Sequence, residues 1–537
     1  MRPRSGLFSH VSPALLAGSL LVGSLIGCVP GEDPGSPGQA GTNGGAGTTG
    51  QAGTTGQAGT TGQAGTTGQA GTTGSAGSIN PAGLAGSGGP TGSAGTTGDA
   101  GTTGGAGTTG SAGRGGTTGS AGRGGTTGSA GAGGPGTGGS STGGGAGPWG
   151  QVEDPGAGCP VGAMPSVGSL TANAKLPDPF TKMDGTRITT KAEWRCRREE
   201  ILKQTYTFIW GDKPVPAASN VTGTVSNTSI TVQVSGGMAN TSFNLTVNMN
   251  GATAPAPAII GYGGVGTMPV PSGVATISLS PIESSGGSGA KNGPFFTYYG
   301  SNHPAGYLTA QAWQVSRVLD LLEKNPNIID PRRVGVTGCS RYGKGAFVAG
   351  ALDNRIALTI PVESGLGGTV GLRLVEVLDS YSGSEWPYHG ISYVRWMSET
   401  ALGQFTTGNS ASADNTAKLP VDMHEMMGLI APRGLYIVDN PSTTYNGLDR
   451  NAAWVTGNVG KMIFQALGVP NNMSYQGASG THCTWRSQYT ASLNAMVDKF
   501  LKGNASATTG TFATDLPSPP SASAHIDWTA PTLSGDL

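Results

Sequence analysis

The sequence predicts a three-layer α/β sandwich, a mostly parallel sheet with antiparallel strands at one edge, preceded by a disordered Gly/Thr-rich linker. Three observations carry that expectation. Asn220 to Asn250 alternates apolar with polar residues, as in V-T-G-T-V-S-N-T-S-I-T-V-Q-V and S-F-N-L-T-V-N-M, the period of antiparallel strands. From Ala256 onward, short apolar runs alternate with helical patterns, which implies parallel strands wrapped by helices. Ahead of both, glycine, 97 of the 537 residues, crowds between Gly31 and Gly150, where Trp149 is the only aromatic. Such a stretch cannot bury enough apolar surface to offset its ordering entropy.

The chain divides accordingly into residues 1–28, a signal peptide with a lipobox; 29–151, a low-complexity Gly/Ala/Thr linker; and 152–537, the folded domain. In the first segment Arg2 and Arg4 precede an apolar run, Pro13 to Ile26, that reads as a secretory signal. Its end, Leu25-Ile26-Gly27-Cys28, resembles the lipobox of bacterial lipoproteins, which would make Cys28 the lipidated residue and the protein an exported outer-membrane or cell-surface lipoprotein; an ordinary cleaved signal, and simple secretion, is the alternative. The linker repeats Q-A-G-T-T-G, with glycine at every third position from Gly41 to Gly134 except Asn80. That spacing suits a collagen triple helix, but proline is nearly absent from the repeat, so a flexible tether spanning about 60 Å is the favoured reading. Lys+Arg and Asp+Glu number 30 each, and no basic run exceeds two residues, which argues against nucleic-acid binding.

Within the domain the expected elements run in order. Ala256 to Gly261 reads as a buried strand, Ala310 to Lys324 as an amphipathic helix, Arg333 to Thr337 as a strand and Gly343 to Leu352 as a helix. Strands at Ile356 to Val362 and Gly434 to Val438 follow, then a helix near Ala452 to Leu467, a short strand near Met473 and a last helix near Ala491 to Lys502. Ligands of such sheets sit at the carboxyl ends of the strands.

Chemistry concentrates there. R-V-G-V-T-G-C-S-R-Y-G-K-G-A places Ser340 between a strand and a helix, the arrangement of a nucleophile elbow, although Tyr342 stands where G-x-S-x-G has its second glycine. A serine nucleophile needs a histidine to take its proton and a carboxylate to orient that histidine. His482, in G-A-S-G-T-H-C-T-W, follows a strand and precedes the last helix, whereas His303, His389 and His424 read as surface or packing residues. Two acids compete: Glu363, ending T-I-P-V-E, and Asp439, ending L-Y-I-V-D. Four cysteines besides Cys28 allow three pairings. Cys339–Cys483 would join the neighbours of Ser340 and His482 and leave Cys159–Cys196; free thiols are the alternative, and no clustered Cys/His set suggests a metal.

G-C-S-R-Y-G-K-G followed by I-A-L-T-I-P-V-E-S-G resembles the glucuronoyl esterases, carbohydrate esterase family fifteen. The likeness extends through L-P-D-P-F, L-P-V-D-M-H, L-I-A-P-R and T-H-C, covering most of the domain and none of the linker. The resemblance implies an α/β-hydrolase fold and cleavage of 4-O-methyl-glucuronoyl esters that link glucuronoxylan to lignin alcohols. It implies Ser340 as nucleophile, His482 as base, Glu363 rather than Asp439 as acid and Arg341 at the oxyanion. It further implies Lys344 and Glu399 as sugar contacts, with Tyr445 standing where fungal members carry a tryptophan. Trp386, Trp396 and Trp485 could line the cleft or the core.

The expected function is therefore a serine esterase using a Ser-His-Glu triad and an acyl-enzyme intermediate. No cofactor, metal or nucleic acid is called for; the expected partner is the lignin-carbohydrate ester, the lipid anchor is the one expected membrane contact, and the protein is expected to be a monomer. A broader acetyl or feruloyl esterase, and a non-catalytic carbohydrate-binding surface protein on a hydrolase scaffold, are the alternatives.

Overall fold

A strand covered on both faces reads as continuous apolar sequence, and one covered on a single face alternates. Both patterns occur in one ten-stranded sheet of the computed structural model, which describes residue 153 and residues 158–283, 290–379, 394–406, 415–442 and 448–537. The leader with Cys28, the linker, and Trp386, His389 and Tyr445 lie outside the described residues. The strands are β1 (Val221–Val225), β2 (Ser229–Val234), β3 (Thr241–Asn248), β4 (Ala256–Tyr262), β5 (Ala275–Leu279), β6 (Ile329–Cys339), β7 (Leu358–Val362), β8 (Gly434–Asp439), β9 (Met473–Gly477) and β10 (Phe512–Thr514). Their spatial order is β1-β2-β3-β5-β4-β6-β7-β8-β9-β10. β1, β2, β3 and β5 pair antiparallel, and everything from β5 through β4 to β10 pairs parallel.

Burial follows that division. β3 buries alternate residues, Phe243, Leu245 and Val247, while β4, β7 and β8 are buried throughout. Along the central strands successive side chains enter opposite layers. Leu435 and Ile437 join the larger core, and Tyr436 and Val438 pack with α6 (Thr490–Phe500) through Leu493, Met496, Val497 and Phe500. The larger core lies under α2 (Tyr307–Lys324), α3 (Arg341–Leu352), α4 (Met423–Ile430) and α5 (Arg450–Ala466).

Among the described residues, two helices of eight or more residues escape a reading based on apolar periodicity. α1 (Lys191–Thr205) turns arginines inward: buried Arg197 reaches Glu425 at 3.0 Å, and Arg198 reaches Asn354 at 2.5 Å. Its signal is instead a capping box, in which Thr190 Oγ1 accepts from Glu193 N–H at 3.1 Å and Glu193 accepts from Thr190 N–H at 3.0 Å. α4 spans only eight residues, each of them buried. β5, also unanticipated, is a five-residue strand inserted between β3 and β4. No helix among the described residues is long and apolar enough to cross a membrane.

Glu153 follows the Gly-rich stretch in sequence. Its buried carboxylate pairs with Lys213 and Arg317, whose own side chains are buried. Burial pushes the Glu153 carboxyl upward, but these cations outweigh it and hold it below the usual carboxylate range. The disulfide Cys159–Cys196 fixes the next stretch of chain to α1, with 5.5 Å between Cα atoms. Removing one partner of a buried pair strands the other charges. Glu153→Gln is therefore expected to lower the unfolding free energy by about 3 kcal/mol in urea titrations, with an unchanged m-value.

Candidate active site

Because β6 to β9 run parallel, their carboxyl ends share one edge of the sheet, and register decides who meets whom. Cys339 pairs with Val362, Val362 with Val438, and Asp439 with Gly477. Ser340, Glu363, Asn440 and the loop after β9 therefore emerge side by side.

Ser340 occupies the turn between β6 and α3 with φ 58° and ψ −126°. This is a left-handed conformation that a non-glycine residue adopts at a cost of order 1–3 kcal/mol. Its N–H donates to Val362 O at 2.9 Å, and its carbonyl accepts from Lys344 N–H at 3.0 Å, so the turn is held from both sides. The glycines explain how so tight a turn fits. A Cβ at Gly338 would stand 2.5 Å from Tyr342 O, and one at Gly343 would stand 2.5 Å from Val362 O. Tyr342 is tolerated two residues after the serine because it faces Gly263, where a Cβ would approach the Tyr342 ring to 2.9 Å. The glycine absent from G-x-S-x-G is supplied by another loop. The first N–H groups of α3 have no intrahelical acceptor and gather beside Ser340, where they favour negative charge.

Glu363 continues β7 by one residue, with φ 46°. Its fully buried carboxylate accepts from His482 Nδ1 at 2.6 Å, Cys483 N–H at 2.9 Å, Asn440 Nδ2 at 3.3 Å and Arg486 Nη1 at 2.6 Å. Burial pushes the carboxyl upward, but the bonds from His482, Arg486 and Cys483 and the Arg486 charge hold it below the usual range. An ionised Glu363 fixes the His482 tautomer with hydrogen on Nδ1 and leaves Nε2 as the basic nitrogen. Asp439 is differently engaged. Its carboxyl accepts from Tyr475 Oη at 2.5 Å and from Asn440 N–H at 2.9 Å, and burial pushes it up to about 6.

The disulfide Cys339–Cys483, 5.7 Å between Cα atoms, ties the residue before Ser340 to the residue after His482 across 144 positions of sequence. Cys339, Glu363, His482 and Cys483 present ligand-type atoms within 4.8 Å of one another. They do not fit a metal, because both sulfurs are spent in the disulfide and the carboxylate already accepts four hydrogen bonds. Thr267, in the loop after β4, completes the rim: its Oγ1 donates to Cys483 O at 3.1 Å and accepts from Trp485 N–H at 2.8 Å. A cavity of about 120 Å³ lies beneath, lined by Val265, Met268, Tyr342 and Trp485 among others.

The other sequence-predicted residues spread around this centre. Arg341 is exposed at the start of α3. Lys344, one turn on, is not a surface lysine: it is buried, donates to Ser364 O at 2.7 Å and lies 4.5 Å from the Trp396 ring centroid. Glu399, half-exposed, pairs with Arg395 at 2.7 Å in a separate polar pocket that includes Lys291 and Asn302. Trp485 is half-buried and donates to Thr490 Oγ1 at 3.1 Å. His424 is a packing residue, bonded to Pro177 O at 2.9 Å and stacked on Trp528. Arg486 and Asn440 join the site although neither belongs to a motif of the sequence; the one available signal is proximity, since Arg486 lies four residues after His482 and Asn440 directly after Asp439.

Known proteins resemble this chain over most of the folded region. A family model described as "Glucuronyl esterase, fungi" matches residues 230–468. The 4-O-methyl-glucuronoyl methylesterase of Hypocrea jecorina is 39% identical over 388 residues, covering 71% of this chain and 80% of that protein. That of Schizophyllum commune is 39% identical over 350 residues, covering 63% and 86%. Among solved structures, the glucuronoyl esterase catalytic domain from Hypocrea jecorina superposes with a TM-score of 0.62 at 38% identity, covering 69% of this chain and all of that one. A serine-to-alanine mutant of the Sporotrichum thermophile glucuronoyl esterase, in complex with methyl 4-O-methyl-β-D-glucopyranuronate, gives 0.63 at 34% identity, covering 70% and 100%.

The raised Asp439 carboxyl has a signed consequence. A buried acid whose folded pKa lies above its unfolded value binds more protons folded than unfolded, so stability falls as pH rises between the two values, from about 4 to about 6. Asp439→Asn removes this term. Its unfolding free energy is expected to lose about 2 kcal/mol less than wild type between pH 4 and pH 7, measured by urea titration at both.

Proposed function

The chain belongs to the glucuronoyl esterase family, and from that premise we propose that it is a serine esterase cleaving 4-O-methyl-glucuronoyl esters between glucuronoxylan and lignin alcohols. The observation that carries the mechanism is the 2.6 Å contact between His482 Nδ1 and the buried Glu363 carboxylate, in the loop that a disulfide holds against Ser340.

In this reading Ser340 Oγ attacks the uronate carbonyl while His482 Nε2 takes the hydroxyl proton. The imidazolium that forms is stabilised by Glu363 through Nδ1. The developing oxyanion lies at the N-terminus of α3, where the Arg341 backbone N–H and its exposed guanidinium are the proposed donors, a contribution of several kcal/mol. Collapse of the tetrahedral intermediate expels the alcohol, protonated by His482, and leaves the uronoyl group esterified to Ser340. Water, deprotonated by His482, then releases the acid. Lys344, seated between Ser364 and Trp396, and Glu399 are the proposed sugar contacts. The fall of charge onto one rigid turn favours this over a dead scaffold that merely binds carbohydrate.

Ser340→Ala is expected to lower kcat/KM on benzyl glucuronate by roughly 10⁴-fold or more, with unchanged circular dichroism. Glu363→Ala should lower kcat by about 10³- to 10⁴-fold, and Asp439→Ala by less than about tenfold. The reverse order would move the acid role to Asp439. Faster turnover of acetylated xylan than of the uronate ester would favour the broader esterase.

A further inference from the structure

Arg486 takes no part in the steps above, yet it is tied to three parts of the machinery at once. Its Nη1 donates to Glu363 Oε1 at 2.6 Å, the carboxylate oxygen that His482 does not use. The same Nη1 donates to Thr484 O at 3.0 Å, and Nη2 donates to Thr481 O at 3.2 Å. Thr481 and Thr484 are the two ends of the turn that carries His482, closed by a Thr484 N–H to Thr481 O bond of 3.1 Å. One planar guanidinium therefore spans the acid and both ends of the base turn, a fork geometry that lysine cannot reproduce. The fit is built in: a Cβ at Gly480 would stand 2.6 Å from Arg486 Nε, so a side chain there would displace the guanidinium. The group is 12% exposed and lies 5.7 Å from the Tyr489 ring centroid.

We infer that Arg486 is a positioning residue for ester cleavage, holding the His482 turn on Glu363 and, by sharing the Glu363 charge, setting the lower pH bound of activity. The inference rests on Ser340, His482 and Glu363 acting as proposed. Its electrostatic half follows from competition. The carboxylate stabilises a protonated imidazole, and a cation on the carboxylate's other oxygen weakens that stabilisation. The other groups around Glu363 do not replace this cation. Asp439, beyond Asn440, is an acid; Tyr475 and Tyr489 are phenols whose ionisation burial pushes upward; Asp515 is engaged by Ser479; and Arg341 stands exposed at the start of α3.

The test compares wild type, Arg486→Gln and Arg486→Lys by kcat and KM on benzyl glucuronate from pH 4 to 9, with active sites counted by a serine-directed phosphonate. Arg486→Gln is expected to lower kcat by about 10- to 100-fold with KM within about threefold, and to move the acid limb of kcat/KM upward by about one pH unit. Arg486→Lys, which keeps a cation but not the fork, is expected to lower kcat while leaving the acid limb within about 0.3 units of wild type. An Arg486→Gln profile that superimposes on wild type after correction for active sites overturns the inference. If the Gln variant does not fold, the Lys variant decides: an acid limb displaced as far as one unit, or an unaltered kcat, overturns it. A wild-type protein that leaves the ester intact refutes the proposed function instead and is recognised before any variant is compared.

Discussion

The contact on which the site depends is a buried carboxylate kept ionised. Glu363 is fully buried, and an isolated carboxylate there would take up a proton rather than remain charged. Four donors prevent that, and each comes from a loop that would otherwise be independent: Asn440 after β8, and His482, Cys483 and Arg486 after β9. Satisfying the charge and assembling the site are the same event. The disulfide Cys339–Cys483 adds a covalent tie between the serine turn and the base loop, so neither loop can drift without the other.

The two acids at this edge show how environment assigns roles. Glu363 and Asp439 end neighbouring strands, and both are buried. Glu363 is met by a cation and a histidine and stays charged; Asp439 is met by a phenol and a backbone N–H and is pushed toward its neutral form. The phenol of Tyr475 satisfies Asp439 from within β9, leaving it a structural partner of the sheet rather than of the base. The same logic separates Lys344 of helix α3 from an ordinary surface lysine, since it spends its charge on Ser364 O and the Trp396 ring.

Much of the fold was legible because most of its elements obey a single period. The alternation of β2 and β3 and the apolar runs of β4, β7 and β8 correspond directly to one-sided and two-sided burial. Boundaries shifted where long-range packing sets them. α2 begins at Tyr307 rather than Ala310, and its first N–H groups are satisfied from another segment, Tyr307 N–H donating to Arg395 O at 2.8 Å and Leu308 N–H to Trp396 O at 3.1 Å. α1 is hard to read from periodicity because its inward face sets Arg197 and Arg198 among Trp194, Ile201 and Leu202, a choice that makes sense only once Glu425 and Asn354 are seen to receive the arginines.

What the sequence determined by itself was the chemistry on offer: a serine flanked by the glycines of a strand-to-helix turn, a histidine in a glycine-containing loop, two strand-end acids and four pairable cysteines. These are local facts, since turn geometry and residue type are carried by neighbours in the chain. The tertiary structure decided which acid meets the histidine, which oxygen is left for Arg486, and why Tyr342 can replace a glycine. Those outcomes depend on strand register and on residues far apart in the chain, such as Glu363 with His482 and Arg486 or Tyr342 with Gly263, and no single stretch of sequence contains both members of any of these pairs.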